Sequence, residues 1–207
     1  MFYLVKTPGW MRFLLKDPLW QVNTEGKTLF LTFDDGPHSE ATIFVLDELK
    51  KYDAKGTFFC IGKNVVAEPE IYRRILIEDH AVGNHTYSHL NAWKVKDEEY
   101  LADVKRAQEV IDSRLFRPPY GRITPFLTEQ LASPAYELKT VMWTILSGDF
   151  DINLKPEKCL QHVILNASPG AIIVFHDSEK AFPRLKYALP RVLEFFSERG
   201  WTFGKLP

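Results

Sequence analysis

Seven short β-rich runs recur along the 207-residue chain, and the stretches between them carry apolar residues at helical spacing. The runs are residues 28–33, 56–61, 81–84, 115–117, 139–145, 171–175 and 201–205. No Ser/Gly linker, internal repeat or low-complexity tract divides the alternation. Strands that read as near-continuous apolar runs are buried on both faces, and the helices between them supply the covering layers. The pattern therefore predicts an α/β fold with mostly parallel strands. Seven strands and about six helices suit a barrel or an open doubly wound sheet, and patterning alone does not choose.

The helices have readable ends. Ser39 is placed to cap one carrying Ile43, Leu46 and Leu49, and Pro69 suits the first turn of another through Ile71, Ile75 and Leu76. Asp97 precedes Leu101, Val104, Gln108, Ile111 and Leu115 at near-helical spacing, and Thr124-Pro125 and Lys155-Pro156 mark two further starts. Pro190 opens or kinks the last helix, and Gly200 ends it.

Apolar residues make up 45% of the chain, enough for a full core, and the length favours one domain. We divide it into an N-terminal arm, residues 1–27, that packs on or flanks a globular domain at residues 28–207. The formal net charge of -1 lacks the basic excess that a phosphate backbone demands, which argues against nucleic acid as a partner. Cys60 and Cys159 stand alone in apolar stretches and read as buried thiols. In the arm, Lys6, Pro8, Gly9, Arg12, Lys16 and Asp17 interrupt the apolar residues. A secretory signal needs about 7–15 unbroken apolar residues and a membrane-spanning helix about 20, so neither is expected and the chain is placed in the cytoplasm. The arm's aromatic and basic mixture suits no more than weak contact with a membrane surface.

The polar residues at the strand ends carry the chemistry. Asp34 and Asp35 follow the first run, His85 follows the third, Arg117 ends the fourth, Asp149 lies past the fifth and His176 ends the sixth. Parallel strands present their carboxyl ends on one face, where loops build the site, so these five clusters are expected to converge. Two adjacent carboxylates repel unless each has a strong partner or one is protonated. GNHTYSH supplies His85 and His89 four residues apart, a spacing that one helical turn aims to the same side. Two imidazoles and an acid form a donor set common in metal sites with open coordination positions. Arg117 precedes Pro118 and Pro119, which stiffen the turn, and its guanidinium can pair with a carboxylate. His176 leaves the end of a buried run, where core filling has no use for an imidazole. Either Asp149 or Asp151, in SGDFDIN, would favour the charged form of that ring. His80 and His162 read as structural or surface groups, and His38 stays open.

Taken in order, TFDDGP, HTYSH, RPPYG, the Asp149 segment and FHD resemble the five motifs of the polysaccharide deacetylase family, the NodB-homology domain of carbohydrate esterase family 4. The resemblance runs from about Thr28 to Pro207 and implies a distorted (β/α) barrel with about seven parallel strands. Residues 28–207 would then form the catalytic domain. The resemblance also implies one divalent metal, most often zinc, and the same donors accept cobalt, nickel or manganese. Carried over residue by residue, it implies that Asp35, His85 and His89 hold the metal. Asp34 would be the general base held by Arg117, and His176 the general acid with Asp149 as its partner. The backbone N–H of Tyr120 would steady the oxyanion, and Pro118, Tyr120, Phe150 and Val174 would line the substrate site. Phe150 stands where the family usually has Trp, and Val174 where it usually has Leu, so the acetyl pocket stays apolar but changes shape.

The implied partner is an acetylated carbohydrate, and the implied reaction removes acetyl groups from N-acetylated amino sugars in oligo- or polysaccharides of the chitooligosaccharide or peptidoglycan kind. An O-acetyl esterase acting on acetylated xylan or a small acetylated metabolite is the alternative among enzymes. A non-catalytic sugar-binding protein is the alternative outside them, but a binding module has no use for a separate base and acid.

Overall fold

A computed structural model describes residues 3–14 and 17–207. Its strands, in chain order, are β1 (Thr28–Asp34), β2 (Gly56–Cys60), β3 (Ala81–Asn84), β4 (Leu115–Phe116), β5 (Lys139–Thr140), β6 (Ile145–Leu146), β7 (Ile172–His176) and β8 (Thr202–Phe203). They form one sheet in the order β5-β4-β3-β2-β1-β7-β6, with β8 added beside the start of β1, and every neighbouring pair is parallel. The helices are α1 (Gly9–Leu14) in the arm, then α2 (Ala41–Lys51), α3 (Gly62–Ala67), α4 (Pro69–Ile77), α5 (Asp97–Gln108), α6 (Pro125–Ala132), α7 (Pro156–Ile164) and α8 (Phe182–Ser197). None of the described helices is long and apolar enough to cross a membrane.

Successive side chains of a strand point to opposite faces, and β1 uses both. Leu29, Leu31 and Phe33 join Phe58, Ile173 and Phe175 in the layer under the helices, with Val45, Leu49, Leu185 and Leu189 opposite. Phe30 belongs to a second cluster with Phe59, Leu115, Val141 and Ile172. Those residues come from distant parts of the sheet, and only a sheet curled on itself brings them together. The expected distorted (β/α) barrel is thus the fold. The inward parity begun at Phe30 runs on through Thr32 to Asp34, and that of Ile172 through Val174 to His176, which delivers both polar termini to the same mouth.

No ladder joins the sheet's two ends, β5 and β6, among the described residues. Main-chain groups of the arm occupy that interval. Leu19 donates its N–H to Thr140 O and accepts from Met142 N, both at 2.8 Å, while Thr7 N donates to Thr144 O at 2.9 Å and Leu146 N to Val5 O at 2.8 Å. Thr144 Oγ1 donates to Trp20 O at 2.8 Å.

Several sequence expectations are corrected. Residues 139–145 form two short strands separated by a segment that bonds to the arm, because each end of the barrel seam recruits a different partner. Ser39 caps nothing: the His38 ring accepts from the N–H groups of Glu40 and Ala41, both at 3.2 Å, and takes the capping role. α5 stops at Gln108, so Ile111 and Leu115 lie outside it, and Leu115 is needed by β4. Pro183, in the first turn, opens α8; Pro190 sits inside it, where burial of Leu189, Val192 and Leu193 outweighs the lost hydrogen bond. His85 and His89 lie on a loop after β3 and not on a helical turn.

Gly170 marks how closely the arm is fitted. Its φ is +78°, and a Cβ there would lie 1.9 Å from the Val22 carbonyl oxygen, while Val22 N donates to Gly170 O at 2.9 Å. Left-handed backbone costs a non-glycine residue about 1–2 kcal/mol before any clash is counted. Gly170→Ala is therefore expected to lower Tm by at least about 3 °C, measured by thermal unfolding; an unchanged Tm would contradict this fit.

Candidate active site

The divergence of the two acids begins in the backbone. Asp34 is the last residue of β1, and Asp35 turns to φ +84°, so the side chains leave in different directions. The Asp34 carboxylate is 5% exposed and meets Arg117 Nη1 at 2.8 Å. Arg117 is wholly buried. Its Nη1 also donates to Thr32 Oγ1 at 2.7 Å, Nη2 to Met142 O at 3.0 Å and Nε to Val141 O at 3.3 Å, and its guanidinium lies 4.0 Å from the Phe59 ring centre. Burial pulls its proton affinity below the ordinary arginine value, and the Asp34 charge and hydrogen bond oppose that pull.

Asp35 faces the histidines. His89 Nε2 is 3.2 Å and His85 Nε2 3.8 Å from Asp35 Oδ1. The HTYSH loop reaches this geometry through left-handed Thr86 and His89, at φ +63° and +60°. Asp103 on α5 secures it by accepting from Tyr87 N and Ser88 N at 2.9 Å. His85 Nδ1 lies 2.7 Å from the Arg117 carbonyl oxygen, so Nδ1–H donates there and the Nε2 lone pair faces Asp35. Burial lowers His85 to about 4, against the pull of Asp34 and Asp35, which leaves an imidazole that is neutral at physiological pH and able to act as a ligand. Burial opposes the Asp35 charge, but the neighbouring His89, His176 and His85 hold the carboxylate well below its usual range.

Asp35, His85 and His89 offer ligand atoms within 4.8 Å of one another. Asp35 Oδ1 is buried without a well-formed hydrogen bond, the kind of atom a cation would satisfy. The donors thus fit a divalent ion of the type that accepts imidazole and carboxylate.

Across the mouth, Asp149 grips His176 with both oxygens: Oδ1 lies 2.8 Å from His176 Nδ1, and Oδ2 accepts the His176 backbone N–H at 2.7 Å. Burial alone would lower this imidazole, yet the charge and hydrogen bond of Asp149, joined by Asp35 and Asp34, raise it to about 9. Asp151 accepts instead from Asn153 N in its own turn. Phe150 sets its ring 5.3 Å from that of His176, edge to face. Val174 is buried on the inward side of β7, two residues below His176. Pro118 introduces the short turn Pro119–Gly121, in which Tyr120 stands at φ +61° with its ring exposed and 4.7 Å from that of His89. The remaining histidines bond to main chain: His80 Nδ1 accepts from Gly56 N at 3.1 Å, and His162 Nδ1 lies 2.9 Å from Ser147 O.

Sequence reasoning missed several supporting groups. Asp177 is fully buried, accepts from Gly36 N at 3.0 Å and from Thr42 Oγ1 at 2.5 Å, and so braces the acid-bearing loop; burial raises it to about 8. Its place beside His176 in FHD was the available signal. Arg184 donates through Nε to Asp149 O at 2.5 Å, and neither its helix nor its spacing announces that partner.

The model of the polysaccharide deacetylase family matches residues 21–138. The chain belongs to the polysaccharide deacetylase family. It is a hydrolase of the deacetylase class and is 34% identical over 190 residues to a peptidoglycan-N-acetylglucosamine deacetylase of Bacillus cereus, covering 89% of this chain and 88% of that protein. It is also 30% identical over 199 residues to the peptidoglycan-N-acetylmuramic acid deacetylase PdaA of Bacillus subtilis, covering 92% of this chain and 74% of that one. Among solved structures, the Bc1960 peptidoglycan N-acetylglucosamine deacetylase in complex with a naphthyl N-hydroxybenzamide superposes with a TM-score of 0.87 at 29% identity, over 97% of this deacetylase and 95% of that chain.

In the metal-free deacetylase, the His176 ring is expected to stay protonated up to about pH 9, and Asp149→Asn to bring its titration below about 6.5, followed by NMR of the ring protons. Because the folded value is raised, this group's stabilisation is full below the unfolded value of about 6.5 and is lost as pH climbs through about 9. A wild-type ring titrating near 6.5 would contradict the Asp149 grip.

Proposed function

We propose that this chain is a metal-dependent deacetylase of N-acetylated amino sugars in oligo- or polysaccharides of the peptidoglycan or chitooligosaccharide kind. The observation that carries the reading is the separation of two adjacent carboxylates onto different partners, Asp34 on Arg117 and Asp35 on the histidine pair. Peptidoglycan and chitooligosaccharide deacetylases among the relatives support the substrate class.

Asp35, His85 and His89 would hold one divalent ion, zinc in our reading, whose chemistry is to acidify water and polarise an acetyl carbonyl. Asp34 accepts the proton of the attacking water, and Arg117 fixes the orientation of that carboxylate and offsets its charge. The Tyr120 N–H helps to hold the oxyanion. His176, charged at neutral pH, donates its proton to the departing amine, without which an amine is a very poor leaving group. Phe150 and Val174 enclose the acetyl methyl. Residues 28–207 form the catalytic domain and residues 1–27 its arm. An ester deacetylase of xylan would share this machinery; release of acetate from acetylated xylan but not from chitooligosaccharides would reject our substrate class.

Metal analysis is expected to find about one divalent ion per chain, lost in His85→Ala. Stoichiometric metal retained in that variant would refute the ligand set. Asp34→Asn is expected to retain the ion while turnover falls by about 100-fold or more, since it removes the base and leaves Asp35 untouched. Near-normal turnover there would exclude Asp34 as the base.

A further inference from the structure

Among the described residues of the N-terminal arm, Tyr3 reaches toward the active site. Val5 of the arm accepts from Leu146 N, and two residues earlier Tyr3 lies against the loop after β6. Its ring centre is 5.1 Å from that of Phe150, tilted by 60°, and 6.4 Å from that of His162, nearly perpendicular. Gly148, at φ +84°, leaves room for it, since a Cβ there would lie 2.5 Å from the Tyr3 hydroxyl oxygen. Phe150 in turn lies against His176 at 5.3 Å. Three rings thus run in contact from the arm to the reacting group.

Phe150 is half-buried, and a benzyl side chain of that kind has other staggered positions open to it unless a neighbour blocks them. Tyr3 is that neighbour. We propose that Tyr3 is a positioning residue for acyl-group selectivity: its ring pins Phe150 against His176 and so sets the width of the pocket that receives the acyl methyl. This rests on the reading of Phe150 as a wall of that pocket. Apolar pockets discriminate one methylene by about 10–200-fold when their walls cannot give. With Tyr3 cut back, Phe150 can swing away from His176, and a larger acyl group gains room.

The test uses the zinc-loaded 207-residue chain and the ratio of kcat/KM for N-acetyl over N-propionyl glucosamine trimers. A ratio does not depend on the fraction of enzyme that is folded, so simple destabilisation leaves it unmoved. Tyr3→Ala is expected to lower the ratio by at least about threefold, and Tyr3→Phe, which keeps the ring, to hold it within about twofold. Phe150→Ala is expected to lower it at least as far as Tyr3→Ala. A lowered ratio in Phe150→Ala with a wild-type ratio in Tyr3→Ala would overturn the role of Tyr3 and leave the pocket reading standing. Wild-type ratios in both would overturn the pocket reading and this inference together.

Discussion

A guanidinium with no exposed surface must have its charge and its donors answered by protein, and Arg117 meets that demand from two separate parts of the chain. Asp34 and Thr32 come from β1, while Val141 and Met142 come from the segment between β5 and β6. Arg117 itself directly follows β4, so the ion pair ties together strands that are far apart in the sheet's order. Breaking a buried pair by removing one partner costs about 3–5 kcal/mol, against a total stability of about 5–15 kcal/mol for a typical protein. The contact that orients the carboxylate of the proposed base is therefore also one that the curl of the sheet relies on.

The same residue links the two halves of the candidate site. Its side chain holds Asp34, and its carbonyl oxygen receives the Nδ1–H of His85. The orientation of the proposed base and the tautomer of a proposed metal ligand thus share one anchor. On the far side of the mouth, Asp149 does comparable work for His176 through two hydrogen bonds, with Arg184 behind it. Asp34, His85 and His176 are each positioned by a buried neighbour, which would keep the proposed reacting groups in place without help from substrate.

The strand-end residues were legible in the sequence because parallel topology leaves little freedom: a residue just past the carboxyl end of an apolar run in such a fold faces the common mouth. Asp34, Asp35, His85, Arg117 and His176 all obeyed that rule. The spacing of His85 and His89 pointed to convergence for the wrong reason, since a loop with two left-handed residues, and no helix, brings the rings together. Pro190 does not open the last helix, because burial of the surrounding apolar residues of α8 carries the helix on either side of it. The arm's attachment was illegible for a different cause. It runs mainly through backbone N–H and C=O groups, which every residue type except proline supplies alike.

The division of the neighbouring carboxylates between an organic and an inorganic counterion is the central claim, and anomalous diffraction at the zinc edge from zinc-loaded crystals tests it directly. The account predicts one strong peak with Asp35, His85 and His89 at about 2.0–2.2 Å, and an Asp34 carboxylate still bonded to Arg117 and outside the coordination shell. A peak bridging Asp34 and Asp35, or one bound away from the two histidines, would contradict it.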